Sequence, residues 1–285
     1  FWLVGAVGLP GATMTAGLLN IALALTVWFL VKADPQPAVR PPLASTERDA
    51  TGDTLVALFL FAAAVTGASS FMYEIAWIRM LSLVLGSTTH SFELMLSAFI
   101  TGLAFGGLWI KHRIDRIGDP MRFSGWVQIW MGAMAALTLP LYVETFDWMG
   151  ALLGALQRND AGFGFFTAFS HGVALLVMVP TTFLAGMTLP LFTYVLLRGK
   201  QGERAVGKVY AANTFGAIAG VLFAIHVGMP LLGLKNLVVL GAALDVLLGL
   251  LLLYRAAERR ASLLVAPRAW VGAVVVVLIA LTVDL

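Results

Sequence analysis

S-S-F-M-Y-E-I-A-W-I-R-M-L-S-L-V-L-G-S, residues Ser69 to Ser87, lies inside a long apolar segment. It nevertheless carries Glu74 and Arg79 among Phe71, Tyr73, Trp77 and Met80. An ionisable side chain at the centre of a bilayer costs roughly 2.5 to 3.5 kcal/mol on insertion scales, so it persists there only where it faces protein, water or another polar group. Five residues separate Glu74 from Arg79, about 140° around an ideal helix, so the two do not pair on one straight face. A break near Gly67 to Ser70, or partners such as His90, Glu93, Asn213 and Asp245 on other helices, would be needed to satisfy them.

The composition around this stretch sets the class. Of 285 residues, 60% are hydrophobic and 12% are charged, and the mean hydropathy is +0.92. Soluble domains usually carry about 25% charged residues, so the chain reads as a polytopic membrane protein in a lipid bilayer. The formal charge of +3 does not point to nucleic acid, because the basic residues cluster beside apolar segments as topology signals do. Cysteine is absent, which removes disulfides, thiolate metal sites and cysteine nucleophiles. His90, His112, His171 and His226 show no metal-ligand spacing, and lone histidines in apolar spans read better as hydrogen-bonded than as haem ligands. Nucleotide-cradling G-x-x-x-x-G-K-[ST], zinc-binding H-E-x-x-H and hydrolase G-x-S-x-G are all missing, so neither a cofactor nor a catalytic residue is assigned.

A bilayer core about 30 Å thick needs roughly 20 apolar helical residues. That ruler gives an all-α bundle of eight spans, at 11–31, 54–81, 88–110, 121–143, 163–197, 206–229, 232–254 and 269–285. Pro180 and Pro190 predict a kink or break in the fifth. Within 146–161, Trp148, Leu152, Leu153 and Leu156 fit either a short helix on the membrane surface or a loop. The proline-rich polar segment 32–53 is a linker. Lys and Arg concentrate in 32–53, 111–122, 198–208 and 255–268, whereas 82–87, 144–162 and 230–235 hold only Arg158 and Lys235. Under the positive-inside rule the first set is cytoplasmic, which suits a bacterial inner membrane. The first residue, Phe1, and the last, Leu285 inside an apolar run, read as the ends of a piece of a longer protein.

An internal repeat follows from one offset. Gly8-Leu9, Leu19-Asn20-Ile21 and Ala24-Leu25 lie over Gly233-Leu234, Leu244-Asp245-Val246 and Gly249-Leu250 at a constant 225 residues. The repeat divides the chain into the end of a first helical half (1–31), a cytoplasmic linker (32–53), a six-helix second half (54–255), and a further linker and span (256–285). Two parallel six-helix halves joined by a polar linker is the plan of major facilitator transporters. Asp115, Arg116 and Gly118 in G-L-W-I-K-H-R-I-D-R-I-G-D-P also resemble the facilitator loop signature.

Two kinds of intramembrane residue stand out. Ala212, Gly216, Gly220 and Ala224 recur every fourth position, and Gly102 with Gly106 makes a second smooth ridge; both suit close helix packing. Glu74, Glu93, Asn213 and Asp245 are candidates for lining a polar cavity. In P-T-T-F-L-A-G-M-T-L-P, Pro180 to Pro190, the hydroxyls of Thr181, Thr182 and Thr188 can rebond carbonyls freed by proline.

Taken together, Tyr73, Glu74, Trp77, Arg79 and Leu81 to Ser87, P-T-T-F-L-A-G-M-T-L-P-L at Pro180 to Leu191, V-G-K-V-Y-A-A-N-T-F-G-A-I-A-G at Val206 to Gly220, and P-L-L-G-L at Pro230 to Leu234 resemble the membrane part of spermidine synthase-like multi-pass proteins. The resemblance implies a facilitator-like bundle preceding an aminopropyltransferase-type domain, whose glycine-rich loop and acidic residues are not in this sequence. It therefore implies anchoring, or transport of a small cationic amine such as a polyamine, with any catalysis outside this chain. The alternative is a non-catalytic accessory subunit that packs through its glycine ridges against other membrane subunits.

Overall fold

The computed structural model describes residues 2–33, 50–156, 159–199 and 204–260, and among these it contains helices and no strand. Residues 1–48 and 49–285 form two separate compact units. The first contains α1 (Trp2–Ala33). The second contains α2 (Ala50–Leu85), α3 (Thr89–Lys111), α4 (Pro120–Ala155), α5 (Asp160–Arg198), α6 (Arg204–Phe223), a π-helical turn (Ala224–Gly228) and α7 (Met229–Arg260). Six helical stretches among the described residues are long and apolar enough to cross a membrane. The span expected at 269–285 lies outside the described residues, as do most of the linker 32–53 and all but its first residues of 256–285.

Local chemistry starts the helices where expected. The side chains of Thr88, Asp119 and Asn159 accept the backbone N–H of Ser91 (3.0 Å), Arg122 (3.1 Å) and Gly162 (2.8 Å) at the beginnings of α3, α4 and α5. Pro120 occupies the first helical position of α4, where its missing N–H costs nothing. Capping at this loop therefore falls to Asp119, while Asp115 of the signature-like segment accepts the Tyr194 hydroxyl at 3.1 Å.

Three seams of small residues set the packing of α2 to α7. A Cβ on Gly216 or Gly220 would collide with the carbonyls of Ala64 and Ala68, so α6 lies directly on the backbone of α2. Gly102 and Gly106 of α3 meet Thr182, Phe183 and Gly186 of α5 in the same way. Gly125 and Gly132 of α4 meet Gly249 and Ala242 of α7, a third seam the sequence reading did not single out. Ala224 is buried, and Ala212 is half-buried, each against a different cluster of the core. Apolar surface gains nothing by leaving lipid, so close backbone approach and polar contacts have to hold such helices together.

The paired residues also fix direction. Numbering rises together along α2 and α6, along α3 and α5, and along α2 and α4, but falls along α7 as it rises along α2 or α4. Lys111, Arg113, Arg116, Arg122, Arg198, Arg204 and Arg255 consequently gather at one end of the bundle. There Arg113 lies over the Trp109 ring (4.4 Å) and Arg198 over Tyr194 (5.3 Å).

Glycines, rather than prolines, break the helices. Gly8 in α1 has φ 69°, ψ 175°, and Gly233 in α7 has φ 76°, ψ 173°. Only glycine adopts such a conformation readily, and the two sites are the pair related by the 225-residue offset. Gly220 and Asp245 meet adjacent residues of α2, Ala68 and Ser69, so the chain between them doubles back at Gly233. The stretch Arg204–Glu258 thus holds both the 206–229 and 232–254 segments.

Several expectations are corrected. Helix α5 runs without a break through Pro180 and Pro190, held by α3 and α4 along its length. Thr182 and Thr188 donate to the carbonyls of Met178 (2.9 Å) and Ala185 (2.7 Å), which are not the ones proline frees, and Thr181 has no partner among the described residues. Residues 146–155 continue α4 instead of forming a surface helix or loop, because Thr145 and Met149 are buried on its inner side. Helix α2 has no break near Gly67 to Ser70; Gly67 instead admits the backbone of Asn213.

Gly216→Val should lower the thermal unfolding midpoint in detergent by an amount reflecting about 1–3 kcal/mol of overpacking. Gly172→Ala, on α5 where a Cβ meets nothing within 4 Å, should leave the midpoint unchanged or raise it slightly.

Candidate functional site

Thr66, Ser69, Tyr73 and Trp77 recur at three- and four-residue spacing on α2 and share one face. That face meets α7 at Asp245, which is completely buried. The Ser69 hydroxyl donates to one carboxyl oxygen of Asp245 and the Tyr73 hydroxyl to the other, both at 2.6 Å. Room for the Tyr73 ring comes from Gly241, one turn before Asp245, where a Cβ would lie 2.6 Å from the ring.

The network extends to α4 in two directions. Tyr73 stacks on Trp77 (ring centroids 5.3 Å apart, 23° between planes), and Trp77 Nε1–H donates to the Thr138 hydroxyl at 3.0 Å. At the other end the Ser69 hydroxyl also approaches the Thr66 carbonyl (3.2 Å), and Gln128 Nε2 donates to Thr66 Oγ1 at 2.5 Å. A buried polar group without a partner costs about 1–3 kcal/mol, so this chain of contacts is what allows a carboxyl to sit among α2, α4 and α7. No basic side chain forms an ion pair with Asp245 among the described residues. Chemically the arrangement is a tether that fixes helix register, closed to solvent.

The four candidates for a polar cavity are not brought together. Asp245 is sealed in this network. Asn213 lies on the α2–α6 seam, with its amide oxygen 3.0 Å from the position a Cβ on Gly67 would take. Glu93, on α3, is half-buried.

Glu74 differs from all of these. It follows Tyr73 by one residue, which turns it about 100° away from Asp245 and above Gly67, on the side of α2 that faces α6. It is half-buried and makes neither a hydrogen bond nor an ion pair among the described residues. Helix α6 runs parallel to α2 with Gly220 beside Ala68, so Glu74 sits at the level of the π-helical turn Ala224–Gly228, which touches α2 and carries the exposed His226. Single π turns inside helices occur frequently at functional sites. Arg79 is exposed and does not reach Glu74.

A cleft of about 670 Å³ opens between α2, α4 and the Gly233 turn, lined by Met80, Tyr142, Phe146, Leu232, Lys235 and Asn236 among others. Its lining is mainly apolar with one basic residue, which is the wrong charge for a cation, and none of Glu74, Glu93, Asn213 and Asp245 borders it.

Thr66 and Gln128 were not among the residues expected to matter, and Ser69 and Tyr73 were singled out only within the Ser69 to Ser87 stretch, not as partners of Asp245. Their usable signals were the i, i+4 spacing of Ser69 and Tyr73 on α2 and the matching spacing of Gly241 and Asp245 on α7. No known protein family, curated protein or solved structure matches the chain.

Asp245→Asn should fold with a modestly lowered midpoint, because an amide still offers acceptor and donor to the two hydroxyls. Asp245→Leu should lose much more, about 1–3 kcal/mol for each hydroxyl left without an acceptor. Thermal unfolding in a mild detergent distinguishes these results from equal loss in both variants.

Proposed function

We propose that this chain is the membrane-embedded bundle of a spermidine synthase-like protein and that it binds or translocates a small cationic amine, with Glu74 as the carboxylate that receives the ammonium group. The observation that carries the reading is Glu74 itself, half-buried within α2 and without a hydrogen bond or ion pair among the described residues. Intramembrane carboxylates of this kind mark ion and substrate paths, because their cost is otherwise uncompensated. The neighbouring π turn supports it, since a helix with a locally displaced backbone leaves carbonyls able to accept an N–H.

The wider architecture agrees in kind. Six spans running alternately through a membrane, with basic residues gathered at one end, suit a facilitator-like half whose basic end faces the cytoplasm of a bacterial inner membrane. Closure of Asp245 by two hydroxyls removes that carboxylate as a site for a cation, which favours Glu74 over it. An aminopropyltransferase activity, where the full-length protein has one, would reside in residues outside this chain.

The test is spermidine uptake into vesicles containing the full-length protein. Glu74→Gln removes a charge-assisted contact worth about 1.5–3 kcal/mol, so half-saturating spermidine should rise about 10- to 100-fold, with the thermal midpoint preserved. Uptake by a folded Glu74→Gln protein that matches the unaltered protein would sink the proposal.

A further inference from the structure

The cleft beside the Gly233 turn carries a different set of groups from those around Glu74. It lies toward the C-terminal ends of α2 and α4, away from the end where Lys111 to Arg255 gather, and Lys235 is the one charged residue of its lining. The positive-inside rule keeps that end of a bundle poor in lysine and arginine, and the connections there hold only Arg158 and Lys235. A lysine retained there against the trend, on the wall of a cleft, needs a negative charge to meet.

Three kinds of donor converge on the cleft. After the reversal at Gly233 a long helical segment begins, and its first three residues, Leu234, Lys235 and Asn236, all line the cleft. Backbone N–H groups in the first turn of a helix have no carbonyl behind them within that helix, and the helix dipole favours negative charge there. Lys235 adds an ammonium group from the same turn. From α4 comes Tyr142, a residue only 7% exposed, whose hydroxyl makes no hydrogen bond among the described residues. A buried phenol usually finds a partner, and this one borders the cleft. The Asn236 amide, by contrast, already donates to the Leu232 carbonyl at 2.9 Å.

No carboxylate of the lining opposes these donors. Around α4, Glu144 is turned about 160° from Tyr142 and Asp147 about 100° beyond Phe146, and neither borders the cleft. The rest of the wall, including Met80, Val143, Phe146 and Leu232, is apolar.

We propose that this cleft binds a single-chain amphiphile with a carboxylate head, a long-chain fatty acid. The head rests against the first turn at Leu234 to Asn236, between the Lys235 ammonium and the Tyr142 hydroxyl, and the chain runs along Met80, Val143 and Phe146. A volume of about 670 Å³ falls in the range of roughly 300–1,000 Å³ that buries one small molecule. A phospholipid would bring a second chain and a glycerol head for which the lining offers no further charged partner. The site shares no residue with the reading of Glu74 and survives that reading's failure.

The test is equilibrium binding of radiolabelled palmitate to the full-length protein in phosphatidylcholine nanodiscs, with binding to empty nanodiscs subtracted. Saturable binding is expected, with hexadecanol, the same chain without the charge, a poor competitor. Lys235→Gln should weaken binding about 10- to 100-fold, the size of a charge-assisted contact, and Tyr142→Phe about 3- to 10-fold, each with the thermal midpoint of the ligand-free protein preserved. Val143→Trp should abolish binding by filling the cleft from a position that is exposed and outside the core. Unchanged affinity in Lys235→Gln, or competition by hexadecanol equal to that of palmitate, would leave an apolar groove only and overturn the proposal. Displacement of palmitate by phosphatidylglycerol as readily as by unlabelled palmitate would assign the site to phospholipid and overturn it as well. If Lys235→Gln does not fold, the hexadecanol and Val143→Trp comparisons decide between the same outcomes.

Discussion

The carboxyl of Asp245, held by the hydroxyls of Ser69 and Tyr73, is the contact from which the arrangement of α2, α4 and α7 follows. An acid inside a membrane bundle is tolerable only where both oxygens have donors. That requirement dictates a glycine at 241 to admit the tyrosine ring and sets the depth of α7 against α2 to the residue. It also orients Tyr73 so that Trp77 can stack on it and reach Thr138, while Ser69 and Thr66 carry the connection to Gln128. A slip of one residue along α2 would turn these side chains through 100° and leave several buried polar atoms without partners.

Polar contacts and glycine seams divide the work. Gly216 and Gly220, Gly102 and Gly106, and Gly125 and Gly249 let backbones approach until carbonyls touch the opposing helix, and dispersion over those surfaces supplies adhesion that lipid cannot outcompete. The seams alone tolerate sliding, since one small residue resembles the next; the Asp245 network does not. Glu74 belongs to neither system. Its position one residue beyond Tyr73 means that the same helix turn that seals one carboxylate presents another toward α6 and its π turn.

Much of the architecture was legible because long apolar segments admit few alternatives. The spans and the four-residue rhythm of Ala212 to Ala224 are local signals that survive folding unchanged. What escaped was non-local. Asp245 looked like a cavity residue because its partners lie on α2, far away in sequence, and no local pattern says which helix it faces. The Gly125, Gly132 and Gly249 seam was hidden because its glycines are spaced too widely for a four-residue ridge. The fourth span was expected to end at residue 143, yet burial of Thr145 and Met149 keeps α4 helical beyond it. Pro180 and Pro190 suggested a broken α5, but packing against α3 and α4 overrides local preference. The reversal was legible in the separate spans 206–229 and 232–254, and torsion angles place it at Gly233, the residue the repeat pairs with Gly8.

The most direct measurement of the central claim is a double-mutant cycle between Tyr73 and Asp245. Tyr73→Phe, Asp245→Leu and the double variant are unfolded in the same lipid–detergent mixture and compared with the unaltered protein. If the hydroxyl–carboxyl contact organises α2 and α7, the double variant should be more stable than additivity predicts, with a coupling energy of about 1–3 kcal/mol, because the second substitution removes a group the first had already orphaned. Strict additivity would show that the two side chains do not act on each other, and the account of how this bundle is held in register would fail.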